Sequence, residues 1–212
     1  MERSFEPGEF YLSVGVGPHP EPHPVGSQYD EELLKNGDSR NVADEFRYLT
    51  VNAIREILAT RRIPLEIAIE NWQHDLNIGS LVRTANAFNV NQFHIIGNKH
   101  WNQHGALMTD KYIDIKQYSN IAEFAAECRN RNIPIIGFEN IPGAKSIEAS
   151  TLPEKCVLLF GNEGLGLSSE AIESCSEFFE IEQNGSVRSM NASVAGAIAM
   201  YAWRIQHRTA ND

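Results

Sequence analysis

From Ile63 onward, short apolar runs alternate with stretches of helical periodicity, and no feature of the 212-residue chain restricts its fold more. Leu65–Glu70, Gln92–Ile96, Ile133–Phe138, Cys156–Phe160 and Phe178–Glu182 read as strands, with a shorter run near Tyr112–Lys116. Between them, Ile78–Phe88, Asn120–Asn130, Ser168–Cys175 and a segment from about Met190 to Gln206 read as helices. Strands joined through helices need crossover connections, which set neighbouring strands parallel and cover both sheet faces. The expected class is therefore α/β: a mostly parallel sheet with helices on both faces, preceded by an N-terminal extension.

That extension, residues 1–42, holds five of the nine prolines and should be extended or disordered in isolation. It is also acidic. Residues 1–45 carry ten acids and three bases, a net −7, whereas the whole chain carries 18 bases against 28 acids, a net −10. The remaining 167 residues are thus close to balanced, which excludes a general nucleic-acid coat protein but leaves room for a local basic face. Beyond it, Asn41 is placed to cap a helix running to about Thr60, with Phe46, Val51, Ile54 and Leu58 as its apolar stripe. Residues 43–63 then form a helix packed on the body, and residues 64–212 form the body itself. Cys128, Cys156 and Cys175 show no CxxC spacing, no run reaches the roughly 20 apolar residues of a membrane span, and the first residues lack a signal-peptide core. A soluble, cytoplasmic protein is expected. His19 and His23 read as solvated tail residues, and no metal site is expected.

Three segments depart from what a core requires. Asn71 to Phe88 runs from a strand end into a helix, at the sheet's carboxyl edge where open α/β folds bind ligands, and carries Asn77 and Arg83. Taken singly, Asn77 suits a helix cap and Arg83 a surface charge. Val157 to Ser168 is an apolar strand entering a G-x-x-G-x-G turn, Gly161-Asn162-Glu163-Gly164-Leu165-Gly166. That spacing is neither the dinucleotide fingerprint nor a Walker loop, and a tight turn with Ser168 as helix cap is the plainer reading. Ile181 to Ala197 places Ser189, Asn191 and Ser193 where a helix of small residues begins, suiting either capping or a polar ligand.

Together the segments resemble the three motifs of the SpoU family, within the SPOUT superfamily of methyltransferases. The first is similar to Asn-x-Gly-x-x-x-Arg-Thr-Ala through Asn77, Gly79, Arg83, Thr84 and Ala85; the second to Gly-Asn-Glu-Gly-x-Gly through Gly161–Gly166; the third to Ser-Leu-Asn-Val-Ser through Ser189, Asn191 and Ser193. The resemblance spans about residues 64–206. It departs at Glu182, where the family commonly has proline, and at Met190 and Ala192.

The resemblance implies a C-terminal deep trefoil knot, a homodimer, S-adenosyl-L-methionine as cofactor and methyl transfer to a ribose 2′-hydroxyl of structured RNA, either tRNA or rRNA. By the same resemblance the catalytic set is Arg83, Asn77, Glu163, Ser189 and Asn191. The cofactor set is Phe160, Gly161, Asn162, Glu163, Gly164, Gly166, Ile181, Gln183, Ser189 and Met190, and Arg83 would act on a cofactor held by the partner chain. A hydroxyl is a poor nucleophile and a sulfonium methyl is already activated, so the residues' task is to align the oxygen and stabilise its developing charge. A guanidinium suits that role and not that of a base. Asn77 and Asn191 would orient Arg83 or the ribose, Ser189 would fix the motif loop or contact the substrate, and Glu163 would partner Arg83 or Asn77. Arg55, Arg61, Arg62, Lys99, Lys111, Arg188, Arg204 and Arg208 are candidate phosphate contacts. The alternative readings are a non-catalytic knotted dimeric RNA-binding or assembly module, and methylation of a base.

Overall fold

The computed structural model describes residues 15–72, 77–98, 100–162, 164–187 and 189–208. The chain divides into two compact units, Met1–Thr60 and Arg61–Asp212.

In the first unit, residues 15–42 are more ordered than their proline content suggests. Helix α1, Glu31–Asn36, is capped by Asp30, whose carboxylate accepts from the Glu32 and Leu33 amides. Antiparallel bridges join Val16 to Asp38 and Tyr29 to Leu49. Asp38 is fully buried and accepts from the Arg40 side chain at 2.7 and 2.8 Å and from the Tyr48 amide at 3.0 Å. Burial pushes its carboxyl up, but the hydrogen bonds and charge of Arg40 and the Tyr48 amide prevail and hold it at about 2. These contacts cross the expected break between residues 42 and 43. The expected helix from Asn41 is also corrected. Helix α2 spans Val51–Ala59 and is capped by Thr50, which accepts from the Ala53 amide at 3.2 Å. A continuous helix cannot pass residues 44–49, because a 3-10 turn at Asp44–Phe46 is followed by Tyr48 at φ 62°.

The second unit carries β1 (Ile63–Asn71), α3 (Asn77–Ala87), β2 (Val90–Gly97), β3 (Ile115–Tyr118), α4 (Ile121–Asn130), β4 (Ile135–Phe138), β5 (Lys145–Ser146), β6 (Cys156–Phe160), α5 (Ser169–Ser174), β7 (Glu177–Glu180) and α6 (Ala192–Gln206). The seven strands form one sheet in the order β3-β2-β1-β6-β4-β7-β5, and every described pairing is parallel. Central β1 is buried from Leu65 to Asn71. Leu65, Ile67 and Ile69 pack with α3 and α6 through Ile78, Leu81, Met200 and Trp203, while Ala68, Val157 and Leu159 pack on the opposite face with α4 and α5 through Phe124, Ala125 and Ala171. The helices do cover both faces. The expected run at Tyr112–Lys116 sits instead at Ile115–Tyr118, because a 3-10 turn occupies Thr109–Lys111 and Tyr112 closes it. Burial pushes the three free thiols up to about 12, which disfavours the thiolate at each.

Strand order is what positions a site. The chain runs outward from β1 to β2 and β3, crosses to β4, and then inserts β6 between β1 and β4. The reversal opens a crevice at the carboxyl ends of β6 and its neighbours.

Candidate active site

The residue pairs Phe138↔Phe160 and Phe138↔Phe179 align the last positions of β6 and β4 with β7. Their rings stack at 5.2 and 6.2 Å, each pair inclined by 26°. Above this aromatic floor lies a two-lobed cleft. The larger lobe, about 360 Å³, is lined by Phe160, Gly161, Asn162, Gly164 and Gly166 on one side and Ser189, Met190 and Asn191 on the other. The smaller, about 110 Å³, adds Phe179, Glu180, Ile181 and Gln183. Phe138, Glu139, Ser189, Met190 and Ala195 border both.

The glycine turn closes on itself. Asn162 and Gly166 exchange backbone hydrogen bonds at 3.1 and 3.0 Å, and Gly164 and Gly166 have φ of 101° and 69°. A Cβ on Gly161 would lie 2.1 Å from the Gly166 carbonyl carbon. The turn's exit is pinned by two carboxylates. Glu139, just beyond β4, accepts from the Leu167 amide at 2.9 Å, and Glu70, fully buried near the end of β1, accepts from the Ser168 amide at 2.8 Å and hydroxyl at 2.7 Å. Ser168 also caps α5, as expected. With these restraints Gly161→Ala is expected to abolish measurable cofactor binding by calorimetry while the circular dichroism spectrum stays folded. Retained affinity would show that the turn tolerates opening.

The first and third motifs meet directly. Asn191 caps α6, accepting from the Ser193 and Val194 amides, and its Nδ2 donates to Asn77 Oδ1 at 2.7 Å. Gly196 lets α6 approach α3, since a Cβ there would sit 2.3 Å from Leu81 Cδ1. Arg83 is exposed on α3, borders neither lobe of its own chain's cleft, and has no hydrogen-bond or ion-pair partner among the described residues. Glu163, Arg188 and Lys99 lie outside the described residues. Arg62, a candidate phosphate contact, is committed within the unit to Asp114 at 2.6 Å and the Asn91 carbonyl at 2.9 Å.

All nine described residues of the expected cofactor set line the cleft. The sequence reading missed Phe138, Glu139, Asn140, Phe179 and Glu180. The exits of β4 and β7 carry no motif, yet the rule that ligands sit at strand carboxyl ends would have included them.

An α/β protein with an aromatic-floored, glycine-walled cleft at its topological switch is built to bind a small organic ligand, and the volume lies near the usual roughly 300–1,000 Å³. The comparisons narrow that class. Residues 64–201 match the SpoU rRNA Methylase family, and the chain belongs to it. It is 28% identical over 179 residues to a tRNA (guanosine(18)-2'-O)-methyltransferase of Borreliella burgdorferi, covering 82% of this chain and 80% of that protein. It is 24% identical over 160 residues to the Escherichia coli protein of the same name, covering 74% and 70%. The A. aeolicus TrmH/SpoU tRNA modifying enzyme superposes with a TM-score of 0.65 at 26% identity, covering 74% of this chain and 81% of that one.

S-adenosylmethionine fits the residues present. Glu139 and Glu180 are the charged side chains bordering the cleft among the described residues, so it suits a cation and not a polyphosphate. Gln183 Oε1 is buried with no hydrogen-bond partner among the described residues, an acceptor left over for a ligand donor.

Proposed function

We propose that this protein methylates a ribose 2′-hydroxyl of tRNA, using S-adenosylmethionine held in the cleft. The observation that carries the reading is the convergence of the three motif segments, joined by the 2.7 Å Asn191–Asn77 hydrogen bond beside the glycine turn. When bound, the cofactor supplies an activated methyl on sulfur. Phe160, Gly161, Asn162, Gly164, Gly166, Ile181, Gln183, Ser189 and Met190 hold it, largely by apolar surface and backbone groups. Asn77 and Asn191 fix the start of α3, and so the helix that presents Arg83. Arg83 stabilises the charge that grows on the ribose oxygen.

Because Arg83 stands away from its own chain's cleft, the active unit is a homodimer in which each arginine serves the partner's cofactor. Helix α6 supports this reading. Val194, Ile198, Tyr201 and Ile205 are exposed at helical spacing, an apolar stripe opposite the buried Ala199, Met200 and Trp203. Ile198→Asp is expected to convert a dimer to monomers by light scattering and to remove activity with it; a monodisperse, active Ile198→Asp dimer would refute this interface. A knotted C-terminal segment follows the same reading, as do a cytoplasmic location and reduced cysteines. Among the described residues no helix is long and apolar enough to cross a membrane.

Guanosine 18 of tRNA, named in the relatives, is the first nucleotide to test. The protein is incubated with unmodified tRNA and cofactor, and the digested RNA is examined by mass spectrometry. A 2′-O-methylnucleoside is expected. A methylated base, or no incorporation into any RNA, overturns the proposal.

A further inference from the structure

Two carboxylates anchor the glycine turn, but they are used differently. Glu70 spends both oxygens on protein donors: Oε2 accepts from the Ser168 amide, and Oε1 from the Ser168 hydroxyl and from Trp72 Nε1 at 3.0 Å. It is fully buried and borders neither lobe of the cleft. Glu139 commits only Oε2, to the Leu167 amide, while Oε1 has no hydrogen-bond partner among the described residues. It is half-buried, borders both lobes, and lies under Gly166, where a Cβ would come within 2.5 Å of Oε2. One amide N–H needs only a neutral acceptor, so the charge on Glu139 is unexplained by the loop it anchors. Glu180 is the other charged lining group, and no cationic side chain among the described residues borders the cleft to neutralise either.

We propose that Glu139 is a specificity-determining residue that distinguishes the methyl donor from the spent cofactor by charge. This rests on the reading that the cleft binds S-adenosylmethionine. Methyl transfer would break the methyl–sulfur bond with its electron pair left on sulfur and form the methyl–oxygen bond, the hydroxyl proton passing to solvent water. The ligand therefore passes from a sulfonium cation to a neutral thioether of nearly the same shape. A half-buried carboxylate beside that ligand attracts the first and is indifferent to the second. Binding then favours reloading, and the product loses its hold once the methyl has gone.

Calorimetry with S-adenosylmethionine and S-adenosylhomocysteine on the full chain tests this. Glu139→Gln keeps an oxygen for the Leu167 amide and removes only the charge. It is expected to bind S-adenosylhomocysteine as the unaltered protein does and S-adenosylmethionine about fivefold more weakly. Glu139→Ala removes the anchor too and should weaken both. Equal weakening of both ligands in Glu139→Gln, or no change in either, overturns the proposal and leaves Glu139 a loop anchor. If the unaltered protein binds neither compound, the proposed function falls, and this inference falls with it.

Discussion

Arg83→Ala is expected to slow methyl transfer to RNA by roughly 10²–10³-fold, the usual loss when one fixed group stabilising a developing oxyanion is removed. Cofactor affinity should change little, because Arg83 is assigned to the charge growing on the ribose oxygen and the residues lining the cleft are untouched. Arg83→Lys should recover little, since an ammonium cannot reproduce the planar, two-pronged donor geometry of guanidinium. The sharper result comes from mixing. Arg83→Ala and Gly161→Ala are each expected to be inactive as homodimers. In the mixed dimer, however, one site combines the intact glycine turn of the first variant with the intact arginine of the second. Statistical exchange makes half the dimers mixed, each with one working site of two, so activity should return to about a quarter of the unaltered level. If Arg83 acted within its own chain, no mixture could be active. A mixture that stays dead while light scattering shows exchanged dimers therefore sinks the shared site.

The parallel α/β body was legible because its strands are buried on both faces and read as continuous apolar runs. Cys156–Phe160 coincides with β6 to the residue. In the second unit, helix starts were legible where a side chain caps them, as Asn120 and Ser168 do for α4 and α5. The first unit misled for the complementary reason. Its order comes from contacts between distant residues, such as Tyr48 with Asp38 and the Tyr48 hydroxyl with the Gly17 carbonyl at 2.6 Å, and these leave no local periodicity. Lys145–Ser146 escaped notice because a two-residue edge strand has no pattern to read. In the cleft, motif residues were visible as oddities: glycines, asparagines and an arginine where a core needs none of them. Phe138 and Phe179 were not, since an aromatic residue ending a buried strand looks like ordinary core until the sheet order shows what lies above it. Glu139 escaped for a different reason. It belongs to no motif, and only the β4–β6 pairing brings it beneath Gly166.

Arg131→Ala should destabilise the second unit by about 3 kcal/mol, with a fall in melting temperature on the order of 10 °C. Its partner, Glu66, sits mid-strand in β1 with 1% of its surface exposed, as buried as the leucine beside it. The acid is tolerated because four donors surround it: Asn91 Nδ2 at 2.6 Å, His94 Nε2 at 2.8 Å, and both terminal nitrogens of Arg131. Burial pushes the Glu66 carboxyl up, but the hydrogen bonds from His94, Arg131 and Asn91 outweigh it and hold the group at about 2 against an ordinary 4.5. A carboxyl held below its unfolded value stabilises the fold above pH 4.5, and that contribution drains away as pH falls from there toward 2. The unaltered protein should therefore lose stability across this window by more than Glu66→Gln does, with Asp38 contributing equally to both. Removing Arg131 leaves a buried carboxylate without its cation. Removing the charge as well relieves that penalty, so the double variant Glu66→Gln/Arg131→Ala should be more stable than Arg131→Ala alone. Chemical denaturation of the four proteins at pH 7 measures this directly. A double variant less stable than Arg131→Ala would mean that Arg131 acts through packing of its stem and not as the compensating charge for Glu66.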